Sequence, residues 1–375
     1  ILDKDLPFIV AGERINPTGK TALQDELRQG KHTFLRSIIN EQQDAGADML
    51  DVNVGIPDND EKKAMLQVLS VLGRTTALPL LIDSAHPDVI ESALRVYPGR
   101  AVLNSISGEQ QKLKRLLPIA AKYGAMCVLL PLRDKELPET VVRRKEIIQS
   151  VFKQAQRFGF SKDDLIVDAL CMTVSARAQA AVETLKTIEW CSEIFQCRTC
   201  IGLSNVSFGM PQRIWVNTAF LAMAITKGLS MAIANPCNKE LMNVKMASDV
   251  LLGKDKDATA FITFFSKHAK KDAVVVSDAG LSHAQKVHAA ILEGNREEIA
   301  AVVEDALRAG SRAVSLVQEV VIPAIKKVGD LFDRKEYFLP QLIASAETTK
   351  KAFEVLQPHL QKDQGSLPRK TRVLL

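Results

Sequence analysis

The chain alternates between short apolar runs and longer amphipathic stretches, and this alternation restricts the possible folds more than any other feature. Each apolar run has the length of a buried strand, while the stretches between them carry apolar residues at helical three- and four-residue spacing. Strand–helix alternation predicts right-handed crossovers and a parallel sheet covered on both faces. The predicted strands lie near residues 8–12, 49–53, 78–83, 101–105, 126–130, 164–168, 199–203 and 230–234.

Eight strand–helix units in about 250 residues have the size of a closed barrel. The alternative is an open doubly wound sheet, but no glycine-rich phosphate fingerprint follows the first apolar run. We therefore predict an α/β fold, a (β/α)8 TIM barrel over residues 1–257. Its helical patterns include 32–46, 59–73, 109–123, 139–158 and 211–227.

From residue 258 onward the strand signals cease and the pattern predicts an all-α four-helix bundle over residues 258–370. Gly294 and Gly310 are expected to end helices, and Pro323 is expected to kink the third helix or to shift its packing. The predicted helices are 283–293, 295–309, 311–328 and 340–357, with an apolar loop over 328–342.

The first and last residues suggest an excised piece of a longer polypeptide. Residue 1 is Ile, and residues 371–375 have the pattern of a buried strand that opens a further domain. Because a strand needs neighbours for its backbone groups, we expect that domain to follow in the complete protein.

Composition predicts a soluble, cytoplasmic globular protein. Hydrophobic residues make up 46% of the chain and charged residues 25%, with a mild net charge of +5. No basic cluster with interleaved aromatics indicates nucleic-acid binding, and no apolar run has the length of a membrane span. Among six cysteines, only Cys197 and Cys200 have ligand spacing, and without a second pair we expect no metal site.

Three polar residues follow different predicted strands, namely Asp83, Asn104 and Asp168. The carboxyl ends of barrel strands meet at one rim, so these side chains are expected to converge. An ionised Asp accepts two parallel N–H bonds, and Asn both donates and accepts, which suits the edge of a guanine or a pterin. Each residue taken singly could equally be a helix N-cap, as Asp83 would be before a helix near Pro87. Three together favour a ligand site.

Several motifs resemble those of the pterin-binding methyltransferases, a family that includes methyltetrahydrofolate:corrinoid methyltransferases and the folate domain of cobalamin-dependent methionine synthase. The similarity extends over residues 8–253. The motifs are GERINPTG (12–19), DVNVG (51–55), IDS (82–84), LNS (103–105), IVD (166–168) and GLSNVSFG (202–209).

The resemblance implies roles for individual residues. Asp83, Asn104 and Asp168 would bind the pterin ring, and Asn205 would contact N5, which carries the methyl group, as the catalytic residue. Support of loop backbone is an alternative role for Asn53 and Asn235. The remaining folate-binding candidates are Glu13, Arg14, Asn16, Asp51, Asn53, Arg213 and Asn235.

The segment 328–342 resembles the helical cap of cobalamin-binding modules. Phe332 and Leu339 match the residues that lie over the cobalt-bound methyl, although an ordinary bundle core is the alternative. The resemblance implies 5-methyltetrahydrofolate as substrate and cobalamin as cofactor, the latter held mainly by a domain outside this chain. It further implies homocysteine-binding and corrinoid-binding domains of the same polypeptide as partners.

The function implied by the resemblance is transfer of the N5 methyl of 5-methyltetrahydrofolate to cob(I)alamin during methionine synthesis. A tertiary amine is a poor leaving group until N5 is protonated, and Asn205 could accept the new N5–H bond. No side chain is a clear general acid, so we expect the proton to arrive through water. The alternatives are a methyltransferase of another corrinoid pathway, a dihydropteroate synthase, and a non-catalytic folate-binding or corrinoid-shielding module.

Overall fold

The computed structural model describes residues 6–134, 136–272, 281–334, 337 and 339–363. The chain divides after Lys256 into two compact units. Within the described ranges, no helix combines the length and the apolar composition that a membrane crossing requires.

The first unit is a closed barrel of eight parallel strands, in which each strand pairs with the next and the eighth pairs with the first. This confirms the predicted TIM barrel, with small shifts at the strand ends. The strands are β1 (Ile9–Ile15), β2 (Met49–Asn53), β3 (Leu80–Asp83), β4 (Val102–Ser107), β5 (Met126–Leu130), β6 (Leu165–Asp168), β7 (Arg198–Gly202) and β8 (Met231–Ala234).

Helices surround the barrel. The apolar periodicity does not reveal all of them: α9, for example, buries the polar residues Lys245 and Asp249, which interrupt its apolar stripe. These two residues bind Asp48 and the backbone N–H of Phe8 at the base of β1. The barrel helices are α1 (Thr21–Gln29), α2 (Thr33–Asp44), α3 (Glu61–Thr75), α4 (Pro87–Val96), α5 (Gln110–Tyr123), α6 (Val141–Ala155), α7 (Ala180–Trp190), α8 (Arg213–Thr226) and α9 (Lys239–Leu251).

Strand residues alternate between two apolar layers, because successive side chains of a strand point to opposite faces. Leu50, Val52 and Ile82 face outward and pack in the layer beneath the helices. One or two inward-facing positions further along several strands, the residues are polar, and they lie at the carboxyl ends of those strands. The inward apolar residues are Ala11, Met49, Leu81, Val102, Met126, Val128, Ile166, Cys200 and Met231.

The second unit is helical and has its own core, in which Val287, Val303, Val321 and Leu356 are buried. The four predicted helices are present, and one further helix, α10, precedes them. The helices are α10 (Thr259–Asp272), α11 (His283–Glu293), α12 (Ile299–Arg308), α13 (Ala313–Ser315), α14 (Ile322–Asp333) and α15 (Leu339–Asp363), with a π-helical segment Leu316–Val321 joining α13 to α14.

One detail of the second unit differs from the sequence expectation. The predicted apolar loop over 328–342 is wrong in extent, because α14 continues to Asp333 and α15 begins at Leu339. Pro323 lies in the first turn of α14, where the π-helical segment passes into α-helix without a break, so the helix is irregular next to the residue predicted to disturb it. Gly294 ends α11 in the left-handed conformation (φ 67°), as predicted.

Gly12 in β1 allows close packing of a buried amide. A Cβ at this position would lie 2.4 Å from Gln42 Oε1, which accepts a 2.9 Å hydrogen bond from the backbone N–H of Arg14. We expect Gly12→Ala to lower the free energy of unfolding by about 1–3 kcal/mol, because the fully buried Gln42 must move.

Gly73 in α3 provides the matched control, because a Cβ there would meet nothing within 4 Å. Gly73→Ala should raise the free energy of unfolding by about 0.5–1 kcal/mol through helix propensity. Urea unfolding of both variants measures the difference. A Gly12→Ala protein as stable as the wild type would show that the packing around Gln42 is loose.

Candidate functional site

Inward-facing residues from five strands form a polar layer at the carboxyl end of the barrel, consisting of Glu13, Asn53, Asp83, Asn104 and Asp168. The strand register pairs Asn53 with Asp83 and Asp83 with Asn104, so these three side chains are neighbours around the barrel. All five residues are half-buried. The convergence expected from the sequence is therefore present.

Asn53 holds Asp83 with one end of its amide and a loop with the other. Its Nδ2 donates to Asp83 Oδ2 at 2.9 Å, and its Oδ1 accepts the backbone N–H of Gly55 at 2.9 Å. Asp83 is not the helix cap considered from the sequence, since His86 occupies that position in α4. Within the described part of the chain, Asp83 Oδ1 has no hydrogen-bond donor, so it is available to a ligand.

Asp51 lies one step below the polar layer and is buried. Asn104 Nδ2 donates to Asp51 Oδ1 at 3.1 Å. Burial, reinforced by the neighbouring Asp83 carboxylate, raises the pKa of Asp51 to about 8, so the group is mostly protonated at neutral pH. Because the Asn104 amide nitrogen is directed to Asp51, its Oδ1 is the atom that can accept an N–H from a ligand.

Asp168 ends β6 and is oriented by the backbone that follows it. Its Oδ1 accepts the N–H of Leu170 at 2.7 Å, and Leu170 has a left-handed backbone with φ 57°. Burial raises the pKa of Asp168 to about 6, while the Leu170 hydrogen bond and the positive charge of Arg144 oppose the rise. The carboxyl is therefore largely ionised at pH 7 and can accept charge-assisted hydrogen bonds.

Asn205 lies in a short 3₁₀ turn, Leu203–Asn205, directly after β7, and is exposed. Its Nδ2 lies 3.1 Å from the position that a Cβ on Gly202 would occupy. Gly202 is the inward-facing position of β7 at this level, and its missing side chain allows the Asn205 amide to lie close to the end of the strand. A pocket of about 680 Å³ adjoins Asn205, lined by Leu137, Glu139, Cys171, Met172, Thr173, Ala176, Arg177, Asn205 and Phe208.

Two residues proposed from the sequence, Glu13 and Arg213, hold the segment that carries Asn205. Ser204 Oγ donates to Glu13 Oε1 at 3.0 Å, and Arg213 Nε donates to Ser207 Oγ at 3.0 Å. Burial raises the pKa of Glu13, and the Ser204 bond opposes this. Sequence reasoning did not assign Ser204 and Ser207, although both lie in the quoted GLSNVSFG motif.

Three further candidates stabilise loops around the barrel mouth. Arg14 Nη1 binds Glu41 Oε2 at 2.5 Å and Cys237 Sγ at 3.1 Å, so its guanidinium is directed away from the polar layer. Asn16 and Asn235 each accept the backbone N–H two residues further along the chain. Asn235, like Asn53, therefore accepts a hydrogen bond from loop backbone, as the alternative role considered from the sequence requires.

The two cap candidates lie in the helical unit. Phe332 is on the last turn of α14 and its side chain is exposed. Leu339 begins α15, and its side chain lies outside the described residues. Their role over a corrinoid stays a prediction.

Cys197 and Cys200 belong to different layers, Cys197 beneath the outer helices and Cys200 inside the barrel. Burial raises the pKa of Cys197 to about 12 and that of Cys200 well above its ordinary value. In the parts of the chain that the structure describes, no group of three or more His, Cys, Asp or Glu residues is arranged to hold a metal ion.

Two family models match the chain, one in each unit. The model of pterin binding enzymes covers residues 12–235, which includes every strand end described above. This chain belongs to the pterin-binding enzyme family. The model of a B12 binding domain covers residues 284–357, which lie in the helical unit.

Two relatives of this chain have names that state an enzymatic activity. Methionine synthase of Mycobacterium tuberculosis is 24% identical over 387 residues, which cover 96% of this chain and 32% of the relative. Methylcorrinoid:tetrahydrofolate methyltransferase of Eubacterium limosum is 26% identical over 255 residues, which cover 66% of this chain and 93% of the relative. The chain thus spans about a third of the length of the methionine synthase that it matches.

Solved structures with a similar barrel include Yersinia pestis DHPS with a pterine–sulfa conjugate, with a TM-score of 0.51. Dihydropteroate synthase of Clostridium difficile, solved in the presence of pteroic acid, has a TM-score of 0.50. Each is 17% identical and covers 67% of this chain, with 96% and 99% of the solved chains matched. At this identity the likeness shows a shared fold alone.

The protonation of Asp51 predicts a pH-dependent stability. Its folded-state pKa of about 8 exceeds the unfolded value of about 3.9, so folding takes up a proton in this window and stability falls as pH rises through it. Asp51→Asn keeps an acceptor for Asn104 and cannot ionise. We expect the Tm of Asp51→Asn relative to the wild-type Tm to be higher at pH 9 than at pH 5, because only the wild type must give up a proton over this range. Calorimetry at both pH values measures this, and an equal difference at both would contradict the assignment.

Proposed function

We propose that this pterin-binding protein transfers the N5 methyl group of 5-methyltetrahydrofolate to the cobalt of a corrinoid, as a step of methionine synthesis from homocysteine. The observation that carries the proposal is the polar layer, in which Asp83, Asn104 and Asp168 present acceptors from three strands. Asn205 follows the neighbouring strand β7, where Gly202 allows its amide to approach the strand end. The B12 binding model over residues 284–357 supports a corrinoid as the second ligand.

The acceptors suit the hydrogen-bonding edge of a reduced pterin, which carries an amino group and ring N–H donors. Ionised Asp168 and Asp83 Oδ1 accept such donors, and Asn104 Oδ1 accepts another. Each hydrogen bond to a charged carboxylate contributes roughly 1.5–3 kcal/mol. Three fixed acceptors on rigid strands also set the orientation of the ring, and thereby the position of N5 relative to Asn205.

Asn205 is proposed to stabilise the protonated N5. A methyl group on a neutral tertiary amine transfers slowly because the leaving group is a strongly basic anion. Protonation makes the leaving group a neutral amine, and the amide oxygen of Asn205 accepts the new N5–H. No hydrogen bond to the Asn205 side chain is present in the described part of the chain, so its amide can rotate without breaking one.

The corrinoid, when bound, supplies the soft cobalt nucleophile that accepts the methyl group. The exposed side chain of Phe332 fits a role in covering an apolar ring, and Leu339 is proposed to share it. Met172 and Phe208 line the pocket beside Asn205 and offer an apolar surface on the barrel. In this proposal residues 1–257 are the folate barrel and 258–370 the cobalamin cap.

The rest of the proposal concerns the complete protein. In this proposal the chain acts together with a corrinoid-binding domain and a homocysteine-binding domain of the same polypeptide. The proposal follows from the name of the methionine synthase relative, of which this chain matches 32%. Residues 371–375, expected from the sequence to open a further strand, lie outside the described residues.

A second candidate is methyl transfer in the opposite direction, in another one-carbon pathway. It is favoured by the Eubacterium limosum relative, whose name describes methyl transfer from methylcorrinoid to tetrahydrofolate and 93% of whose length is matched. Rates measured in both directions with the complete polypeptide, together with methionine formation from homocysteine, distinguish the two pathways.

The first test is calorimetric titration with 5-methyltetrahydrofolate, followed by addition of cob(I)alamin and spectroscopic detection of methyl transfer. We expect saturable binding that Asp168→Asn weakens by about 1.5–3 kcal/mol, because a charge-assisted bond is lost. The control is Asp163→Asn, whose side chain is 85% exposed at the opposite end of β6. Absence of binding would refute the proposal, and binding without transfer would leave a folate-binding module.

Asn205→Ala should separate catalysis from binding. We expect methyl transfer to fall by about 10²–10³-fold with a much smaller loss of folate affinity, because the N5–H contact strengthens in the transition state. Single-turnover rates and binding constants measure the two effects.

Asn53→Ala is the contrasting amide substitution. It removes the support of Asp83 and should weaken binding more than it slows the saturated enzyme. Equal losses of affinity and rate in Asn205→Ala would assign Asn205 to ground-state binding instead.

A further inference from the structure

Arg144 on α6 is among the largest fully buried side chains of the protein, with 0% exposure. Its Nε donates to Pro138 O at 3.1 Å, and its Nη1 donates to Ala169 O at 2.9 Å and to Thr184 Oγ1 at 3.3 Å. Nη2 is buried and has no hydrogen-bond partner among the described residues. A buried guanidinium without a bound carboxylate is costly unless a nearby charge offsets it.

Arg144 contacts the turn that follows Asp168 in the chain. Ala169, whose carbonyl Arg144 binds, is the next residue in the chain. Thr184 Oγ1 lies 3.1 Å from the carbonyl of Leu170, so Arg144 and Thr184 together fix both carbonyls of this turn. Leu170 is in the left-handed region, which a leucine adopts only at a cost of about 1–2 kcal/mol. The N–H of Leu170, in the same turn, donates to Asp168 Oδ1.

The Arg144 guanidinium is the cation that acts on the Asp168 carboxylate. Arg144 opposes the effect of burial on the pKa of Asp168, and the Asp168 carboxylate raises the pKa of Arg144 in return. Among the described residues, Asp168 also acts on the thiols of Cys171 and Cys200. Burial raises the pKa of Cys171 to about 12 and that of Cys200 well above its ordinary value, so both thiols are neutral.

Two further charges act on Arg144 itself, those of Glu183 and Arg177. Glu183 accepts hydrogen bonds from the backbone N–H of Val141 at 2.7 Å and from Lys186 at 2.9 Å. Arg177 is paired with Glu139 at 2.7 Å. Glu183 is the stronger of the two anions that stabilise the Arg144 guanidinium, but it has hydrogen-bond partners of its own. Asp168 is the second anion, and Arg144 is the cation that acts on it.

We propose that Arg144 is a positioning residue for Asp168. Its buried guanidinium fixes the Ala169–Leu170 turn against α7, and its positive charge keeps the Asp168 carboxylate ionised as a hydrogen-bond acceptor. The inference rests on the proposed function only where it names a pterin as the molecule that donates hydrogen bonds to this carboxylate. The two effects are separable, because Thr184 contributes to the turn but not to the charge.

The first test uses the protein without ligand. Aspartate labelled with ¹³C at the carboxyl carbon reports each titration by NMR, and Asp168→Asn assigns the signal. We expect Arg144→Met to raise the pKa of Asp168 by about one pH unit or more, because an opposite charge is removed. Arg144→Lys and Thr184→Val should leave it near the wild-type value.

If Arg144→Met does not fold, Arg144→Gln removes the charge and keeps N–H donors for the two carbonyls. An unchanged Asp168 titration in a folded, charge-free variant would overturn the proposal.

The second test measures affinity for 5-methyltetrahydrofolate between pH 5 and pH 9. Wild-type affinity should fall as Asp168 is protonated near pH 6, and Arg144→Met should move this loss to higher pH. In an Asp168→Asn background the same substitution should cause no such movement, as a double-mutant cycle requires.

A loss of affinity that is uniform with pH in both backgrounds would indicate a structural role only and would overturn the proposal. If the wild type binds no folate at all, the proposed function fails, whereas the NMR titration still decides the role of Arg144.

Discussion

The alternation of side chains along parallel strands is the constraint on which this molecule depends. Each barrel strand directs every second residue inward, so Leu81 and Asp83 point into the same interior at successive levels. The lower levels are mostly apolar, with Asp51 as an exception, and the uppermost level is polar. Because all eight strands run in one direction, their polar ends meet at one opening. The same rule that packs the core therefore builds the site.

Concentrating acidic side chains in a confined space creates an electrostatic problem that the structure solves differently for each group. Asp51, which is the most buried, holds a proton and receives the amide of Asn104. Asp83 receives the amide of Asn53. Asp168 receives a backbone N–H and has the Arg144 guanidinium behind it. Neutralisation of the deepest group lowers the repulsion on the others, so the outer carboxyls can accept hydrogen bonds from a ligand.

The residues proposed to bind the pterin and the residue proposed to act in catalysis lie on different kinds of structure. Asp83, Asn104 and Asp168 end strands, whose hydrogen-bonded neighbours fix their positions. Asn205 lies in a short turn that is held by bonds of Ser204 to Glu13 and of Ser207 to Arg213. Rigid strand ends beside a turn suit the proposed chemistry, because the pterin ring must stay fixed while the Asn205 amide responds to a proton that arrives at N5.

The sequence by itself determined the barrel, the helical second unit and the polar residues at the strand ends, because apolar periodicity and strand–helix alternation are local properties of the chain. It also showed that Asn53 and Asn235 could support loops. Tertiary structure alone decided that Arg14 is directed toward Glu41 and away from the polar layer. It also decided that Asp51 is protonated and that Arg144 lies behind Asp168. These outcomes depend on burial and on partners distant in the sequence, such as Asp51 and Asn104, which only the closed barrel brings together.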